Sequence, residues 1–145
     1  EINAKRFSTN MISAVNNQGS VRFMMYKENM TAKVLLRFMK RLIKDAGRKV
    51  FLVLDNLRVH HAKLVKAWLA RHAAKIEVFY LPAYSPDLNP DEYLNCDLKA
   101  GIRSAAPARN QEELASKVQS HMRMLQKRPE RVAKYFEHPA IRYAS

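Results

Sequence analysis

Two short apolar runs of strand length, Val50-Phe51-Leu52-Val53-Leu54 and Ile76 to Leu81, flank a helical pattern marked by Leu64, Val65, Trp68 and Leu69, roughly Ala62 to Ala74. Strands that are apolar throughout read as buried on both faces, as in a sheet covered by helices. A strand, a helix and a return strand at this spacing make a parallel crossover. This unit confines the chain to the α/β class. Asp55-Asn56 stops the first run, and the second runs into Pro82-Ala83-Tyr84-Ser85-Pro86-Asp87-Leu88-Asn89-Pro90, a loop dense in turn formers.

The remaining elements are arranged around that unit. Met11 to Val15 and Val21 to Tyr26 alternate loosely about Asn16-Asn17-Gln18-Gly19-Ser20 and read as a hairpin. Asn29 or Thr31 caps a helix with Val34, Leu35, Phe38, Met39, Leu42 and Ile43 at helical spacing, and Gly47 ends it. Its other face is Lys33, Arg37, Lys40, Arg41 and Lys44. Asn89 before Pro90 opens another helix. Asn110 caps a helix carrying Leu114, Val118, Met122 and Leu125, and Pro129 opens a last one with Val132, Tyr135 and Phe136. Two segments follow for a chain of 145 residues: 1–103 as a mixed sheet flanked by helices, and 104–145 as a helical extension packed on the same domain.

Twenty-six Lys and Arg against thirteen Asp and Glu give a net charge of +13. Such an excess attracts polyanions, and nucleic acid before lipid where no amphipathic anchor is evident. The charge is uneven. Residues 31 to 75 hold twelve Lys or Arg against only Asp45 and Asp55, whereas residues 76 to 97 hold five acids and no Lys or Arg. No apolar run is long enough to span a bilayer, no leader opens the sequence, and the lone Cys96 forms no internal disulfide. The expected setting is therefore reducing and cytoplasmic, without a membrane.

Asp55 and Glu92 stand out by position. Asp55 falls at the carboxyl end of a strand, where α/β sheets present ligands, and Glu92 falls in the first turn of the helix after the proline-rich loop. Thirty-six residues separate them, enough for one helix and one parallel strand. Hard cations such as Mg²⁺ take carboxylate oxygens, and a pair of such metals can serve both oxygens of a phosphodiester displacement. Simpler accounts exist for each: Asp55-Asn56 as a plain turn, and Glu92, three residues after Asn89, as part of a capping box. Asp55 with His60 and His61 is a further possibility, a transition-metal site.

Leu54-Asp55-Asn56-Leu57-Arg58-Val59-His60-His61, followed by Leu81-Pro82-Ala83-Tyr84-Ser85-Pro86-Asp87-Leu88-Asn89-Pro90-Asp91-Glu92, resembles the DDE transposases of the IS630/Tc1-mariner superfamily. The resemblance runs from the hairpin to about Lys99. It implies an RNase H-like fold and Mg²⁺- or Mn²⁺-dependent strand cleavage and joining at transposon ends, with transposon-end and target DNA as partners, in the bacterial cytosol. Carried over by motif, Asp55 and Glu92 are the second and third catalytic and metal-binding acids. Asp91 is a weaker competitor. Asn56, His60 and Asn89 match positions that support the metal site or contact phosphate, with His61 less specific. Arg58, Lys63 and Lys66 are candidate DNA contacts.

One departure matters. The family's first catalytic Asp lies on a first strand upstream of the hairpin, and no Asp precedes Met11 here. The expectation is a fragment lacking that central strand and inactive alone, which folds by closing the gap or by sharing strands with a second copy. A catalytically inactive remnant that binds DNA or oligomerises is the alternative, and a standalone nuclease is another. Trp68 is expected in the core, His72 and His121 as structural or exposed residues, and Met122, Met124 and Leu125 as a packing stripe.

Overall fold

The helix of residues 32–46 illustrates how local sequence sets each element. Thr31 Oγ1 accepts from the Val34 amide at 3.4 Å, and Gly47 closes the other end at φ 67, the left-handed conformation that glycine adopts without strain. Between the two caps, Val34, Leu35, Leu36, Phe38, Met39 and Leu42 are buried. A computed structural model describes residues 2–4 and 7–144. The chain divides into two compact units, Asn29–Asn89 and the pair of segments Glu1–Glu28 and Pro90–Ser145.

In the 29–89 unit, helix α1 (Ala32–Ala46) leads into a parallel pair of strands. Of these, β4 (Val50–Leu54) lies beside β5 (Ile76–Tyr80), with Val50 opposite Ile76 and Leu54 opposite Tyr80. Helix α2 (Lys63–Arg71) makes the crossover and packs on α1 and β5. Trp68, 3% exposed, lies in the core as expected, and His72 stacks on it at 4.3 Å.

The expectation of strands buried on both faces is corrected. Leu52, Leu54, Ile76 and Val78 are buried or half-buried, whereas Phe51, Val53, Glu77 and Phe79 are exposed. A parallel pair alternates its side chains between faces, and α1 and α2 cover only one of them. Apolar residues on the other face face solvent, with the rings of Phe51 and Phe79 stacked 6.4 Å apart.

In the other unit, β1 (Ile2–Ala4), β2 (Phe7–Val15) and β3 (Val21–Tyr26) form an antiparallel sheet in that order. The hairpin expected around residues 16–20 is present, with Val15 opposite Val21. Asn16 Oδ1 accepts from the amides of Gln18 and Ser20, which fixes the turn. The short strand β1 has no counterpart in the sequence-based reading.

Helices α3 (Pro90–Ser104), α4 (Gln111–Gln126) and α5 (Pro129–Ala133) complete this unit, followed by 3-10 turns at Lys134–Glu137 and Pro139–Ala144. Asn110 caps α4 as expected, its Oδ1 accepting from the Glu113 amide at 2.8 Å. Leu94 and Leu98 of α3 join Leu114, Val118, Met122 and Leu125 of α4 in one core with Val21 and Val132. Gly19 sits at φ 89 against Pro129, where a Cβ would lie 2.0 Å from the carbonyl oxygen. Among the described residues, no helix is long and apolar enough to cross a membrane.

Candidate active site

Asp55 follows directly on the last residue of β4, half-buried. The Leu81 amide donates to the Leu54 carbonyl at 2.8 Å and carries the parallel pairing one residue past β5. Asp55 thus begins where the ladder ends, at the carboxyl edge of the sheet. The chain then makes a single 3-10 turn over Arg58–His61.

That turn is tied back from three directions. His60, 8% exposed, donates from Nδ1 to the Asp55 carbonyl at 2.5 Å. The Tyr80 hydroxyl donates to the His60 carbonyl at 2.9 Å, and the His61 ring stacks on the Tyr80 ring at 4.1 Å. His61 Nε2 meets Asn56 Oδ1. Burial pushes the Tyr80 phenol up from its ordinary value, so the hydroxyl keeps its proton for this bond.

Asn89 reaches the carboxylate itself, with Nδ2 donating to Asp55 Oδ1 at 3.0 Å. Asp55 Oδ2 has no hydrogen bond among the described residues. A carboxylate with one oxygen oriented by an amide and the other open fits a hard cation, whose oxygen ligands are commonly held by such outer partners.

The site residues expected from sequence are therefore distributed as follows. Asp55, Asn56, His60 and Asn89 are brought together, but His60 grips the Asp55 main chain rather than its carboxylate. Arg58, Lys63 and Lys66 are exposed, on the 3-10 turn and the first turn of α2. Glu92 is half-buried in the first turn of α3, in the other unit. Its neighbour Asp91 accepts from Ser13 Oγ of β2 at 2.6 Å, a tie between helix and sheet. The transition-metal arrangement of Asp55, His60 and His61 is not formed. No group of three or more His, Cys, Asp or Glu suited to a metal occurs among the described residues. Sequence reasoning missed Tyr80, whose only signal was a hydroxylated ring ending an otherwise apolar strand.

Titratable groups also gather outside the 29–89 unit. In the unit holding α3, Asp97 receives a two-point contact from Arg131, Nε to Oδ2 at 2.9 Å and Nη2 to Oδ1 at 2.5 Å. Tyr135 also donates to Oδ2 at 2.5 Å. Burial alone would raise the Asp97 carboxyl, but the bonds from Arg131 and Tyr135 and the charge of Arg131 outweigh it and hold the group below the ordinary range. His121 Nε2 lies 3.4 Å from Asp97 Oδ1, buried and without a hydrogen bond. Burial pushes this imidazole down against the pull of Asp97. His121 is therefore structural.

A family model for DDE superfamily endonucleases matches residues 2–115. The chain belongs to the DDE superfamily endonucleases. The resemblance carried by Leu54–His61 and Leu81–Glu92 is thereby borne out, and so is its fold. The structure of this DDE endonuclease is similar to the crystal structure of the catalytic domain of Mos1 mariner transposase, with a TM-score of 0.62, 18% identity, 94% of this chain and 79% of that one covered. A structure of the same catalytic domain with Raltegravir and Mg gives a TM-score of 0.60 at 16% identity, over 94% and 81% of the two chains. The Mos1 transposase paired-end complex with the left transposon end gives 0.60 at 21% identity, over 92% of this chain and 46% of that one. The mixed α/β architecture is thus the RNase H-like one. No curated protein matches the sequence.

Proposed function

We propose that this endonuclease domain is the catalytic portion of a transposase that cuts and rejoins DNA strands at the ends of an insertion sequence. The observation that carries the reading is the convergence of the two motif runs on one carboxylate, with Asn89 Nδ2 on Asp55 Oδ1. Membership of a DDE endonuclease family supports DNA cleavage in general. The Mos1 catalytic domain has been solved with Mg and with Mn, and Mos1 transposase with a transposon end, which supports a divalent cation and a DNA partner here.

Asp55 and Glu92 are the residues that would hold Mg²⁺ or Mn²⁺. When bound, such ions activate the attacking oxygen and neutralise the leaving one. The chain's own residues do the positioning. Asn89 fixes the direction of the Asp55 carboxylate, while His60 and Tyr80 fix the turn that follows it. Arg58, Lys63 and Lys66 supply charge to phosphates beside that turn, and Asn56 is held by His61. No covalent enzyme intermediate is required. The domain works on DNA in the bacterial cytosol, as a homo-oligomer on two transposon ends.

Plasmid nicking in Mg²⁺ or Mn²⁺ tests the reading, with Asp55→Ala and Glu92→Ala beside the unaltered chain. Nicking abolished by each substitution is the expected result. Equal nicking in all three would overturn the catalytic assignment, and none by the unaltered folded chain would favour the catalytically inactive alternative.

A further inference from the structure

Helix α1 carries a second feature that the Asp55 site does not use. Lys33, Arg37, Lys40, Arg41 and Lys44 are all exposed, and at 100° per residue they fall within an arc of about 100°. The buried residues Val34, Leu35, Phe38, Met39 and Leu42 occupy the opposite face. The packing of α1 against α2 and β4 therefore fixes which way the cations point. They form a straight stripe about 16 Å long at 1.5 Å rise per residue.

Four of the five cations are not neutralised by any of the described residues. Lys33, Lys40, Arg41 and Lys44 make no ion pair or side-chain hydrogen bond among the described residues. Asp45, the one acid on the helix, is exposed and unpaired with them. A face meant only for solvation commonly alternates its charges, with acids spaced to pair with bases along the helix. Here four cations without an acidic partner repel one another instead, a cost that a polyanion laid along them would relieve.

We infer that the exposed face of α1 is a contact surface for the phosphate backbone of duplex DNA, separate from the candidate contacts at Arg58, Lys63 and Lys66. The dimensions agree. One strand of a duplex presents a phosphate about every 3.4 Å along its axis, so roughly five phosphates pass a helix about 16 Å long. The contact is to backbone, where the charge of the stripe acts without regard to sequence. The inference shares the DNA partner with the proposed function but needs no catalysis.

The test is binding of the full chain to a short random-sequence duplex by fluorescence anisotropy over a range of salt concentrations. Each phosphate contact contributes about 0.9 to the slope of log affinity against log salt. Neutralising four positions together, K33Q/K40Q/R41Q/K44Q, is expected to lower the slope by about 3 to 4. The matched variant R123Q/K127Q/R128Q/K134Q, which removes equal charge from exposed positions in the other unit, is expected to lower it by less than about 1. Equal losses in the two variants would reduce the effect to net charge and overturn the inference, as would an unchanged slope in the first.

If circular dichroism shows the first variant unfolded, K33Q/K44Q decides the same question with an expected loss of about 2. Phosphatidylserine vesicles form the second arm. Vesicle binding as tight as duplex binding at the same salt, and lost in the same variant, would assign the stripe to a membrane surface instead. Asp55→Ala keeps the full salt slope if the stripe acts as inferred, whatever happens to nicking, so failure of the catalytic reading and failure of this one are separate results.

Discussion

The side-chain amide of Asn89 donates to Oδ1 of Asp55 across 34 positions of sequence, at 3.0 Å. A residue that reads as a helix-capping asparagine also sets the direction of the carboxylate that follows β4. The two roles use different atoms: a cap would employ the amide oxygen, and the tie to Asp55 employs the nitrogen.

Asn89→Ala is expected to leave Asp55 chemically intact but unoriented. Loss of an outer partner of this kind costs about 10- to 100-fold in metal affinity or activity. The check is the Mn²⁺ concentration needed for half-maximal nicking, which should rise while circular dichroism stays unchanged.

Tyr80→Phe removes the hydroxyl bond to the His60 carbonyl and keeps the ring beneath His61. A single hydrogen bond of this type contributes about 1 kcal/mol. Urea unfolding should show a loss near that size, and Tyr80→Ala a loss of about 3 kcal/mol or more because the ring is gone as well.

How much of this site sequence could show depends on the range of each interaction. Asp55 is legible because an apolar run ends at it, and Glu92 because a proline-rich loop ends three residues before it at Asn89-Pro90. The turns at Asn16 and Asn110 are legible because their capping bonds close within a few residues. Tyr80 acts on a carbonyl twenty positions away, and Ile2–Ala4 is too short for any period to register. Both are invisible for the same reason: their partners are set by tertiary structure. The exposed side of β4 misleads in the opposite sense, since Phe51 and Val53 carry the same apolar signal whether or not anything covers them.

Stability is expected to fall as pH drops below neutrality, through His121 and Asp97. Burial holds the folded His121 pKa below its unfolded value of about 6.5. The unfolded chain therefore binds the proton first, and the His121 contribution is present above about pH 6.5 and lost as pH falls toward the folded value. Asp97, also depressed, adds a second loss below about pH 4 as its carboxyl protonates and releases Arg131 and Tyr135. Thermal unfolding between pH 7.5 and 5 should show the first loss, and His121→Gln should flatten it.

Gly19→Ala combines two penalties, a positive φ and a Cβ placed 2.0 Å from the Pro129 carbonyl oxygen. Because the obstacle is main chain rather than a movable side chain, the expected cost is about 2 kcal/mol or more. Urea midpoints would measure it. Gly47→Ala meets only the backbone penalty, since nothing lies within 4 Å of its would-be Cβ, and should cost about 1 kcal/mol.

The bare side of the β4–β5 pair gives the domain a colloidal problem with a built-in restraint. Phe51, Val53 and Phe79 form a sticky apolar patch, 64%, 40% and 49% exposed, and identical molecules that met through it would hide that oily area. At low ionic strength a net charge of +13 keeps copies apart. In about 1 M salt the screening length shrinks to roughly 3 Å and that repulsion vanishes. Salt strong enough to strip nucleic acid from a basic protein thus also removes its protection against clumping, and light scattering should show particles growing as the salt rises.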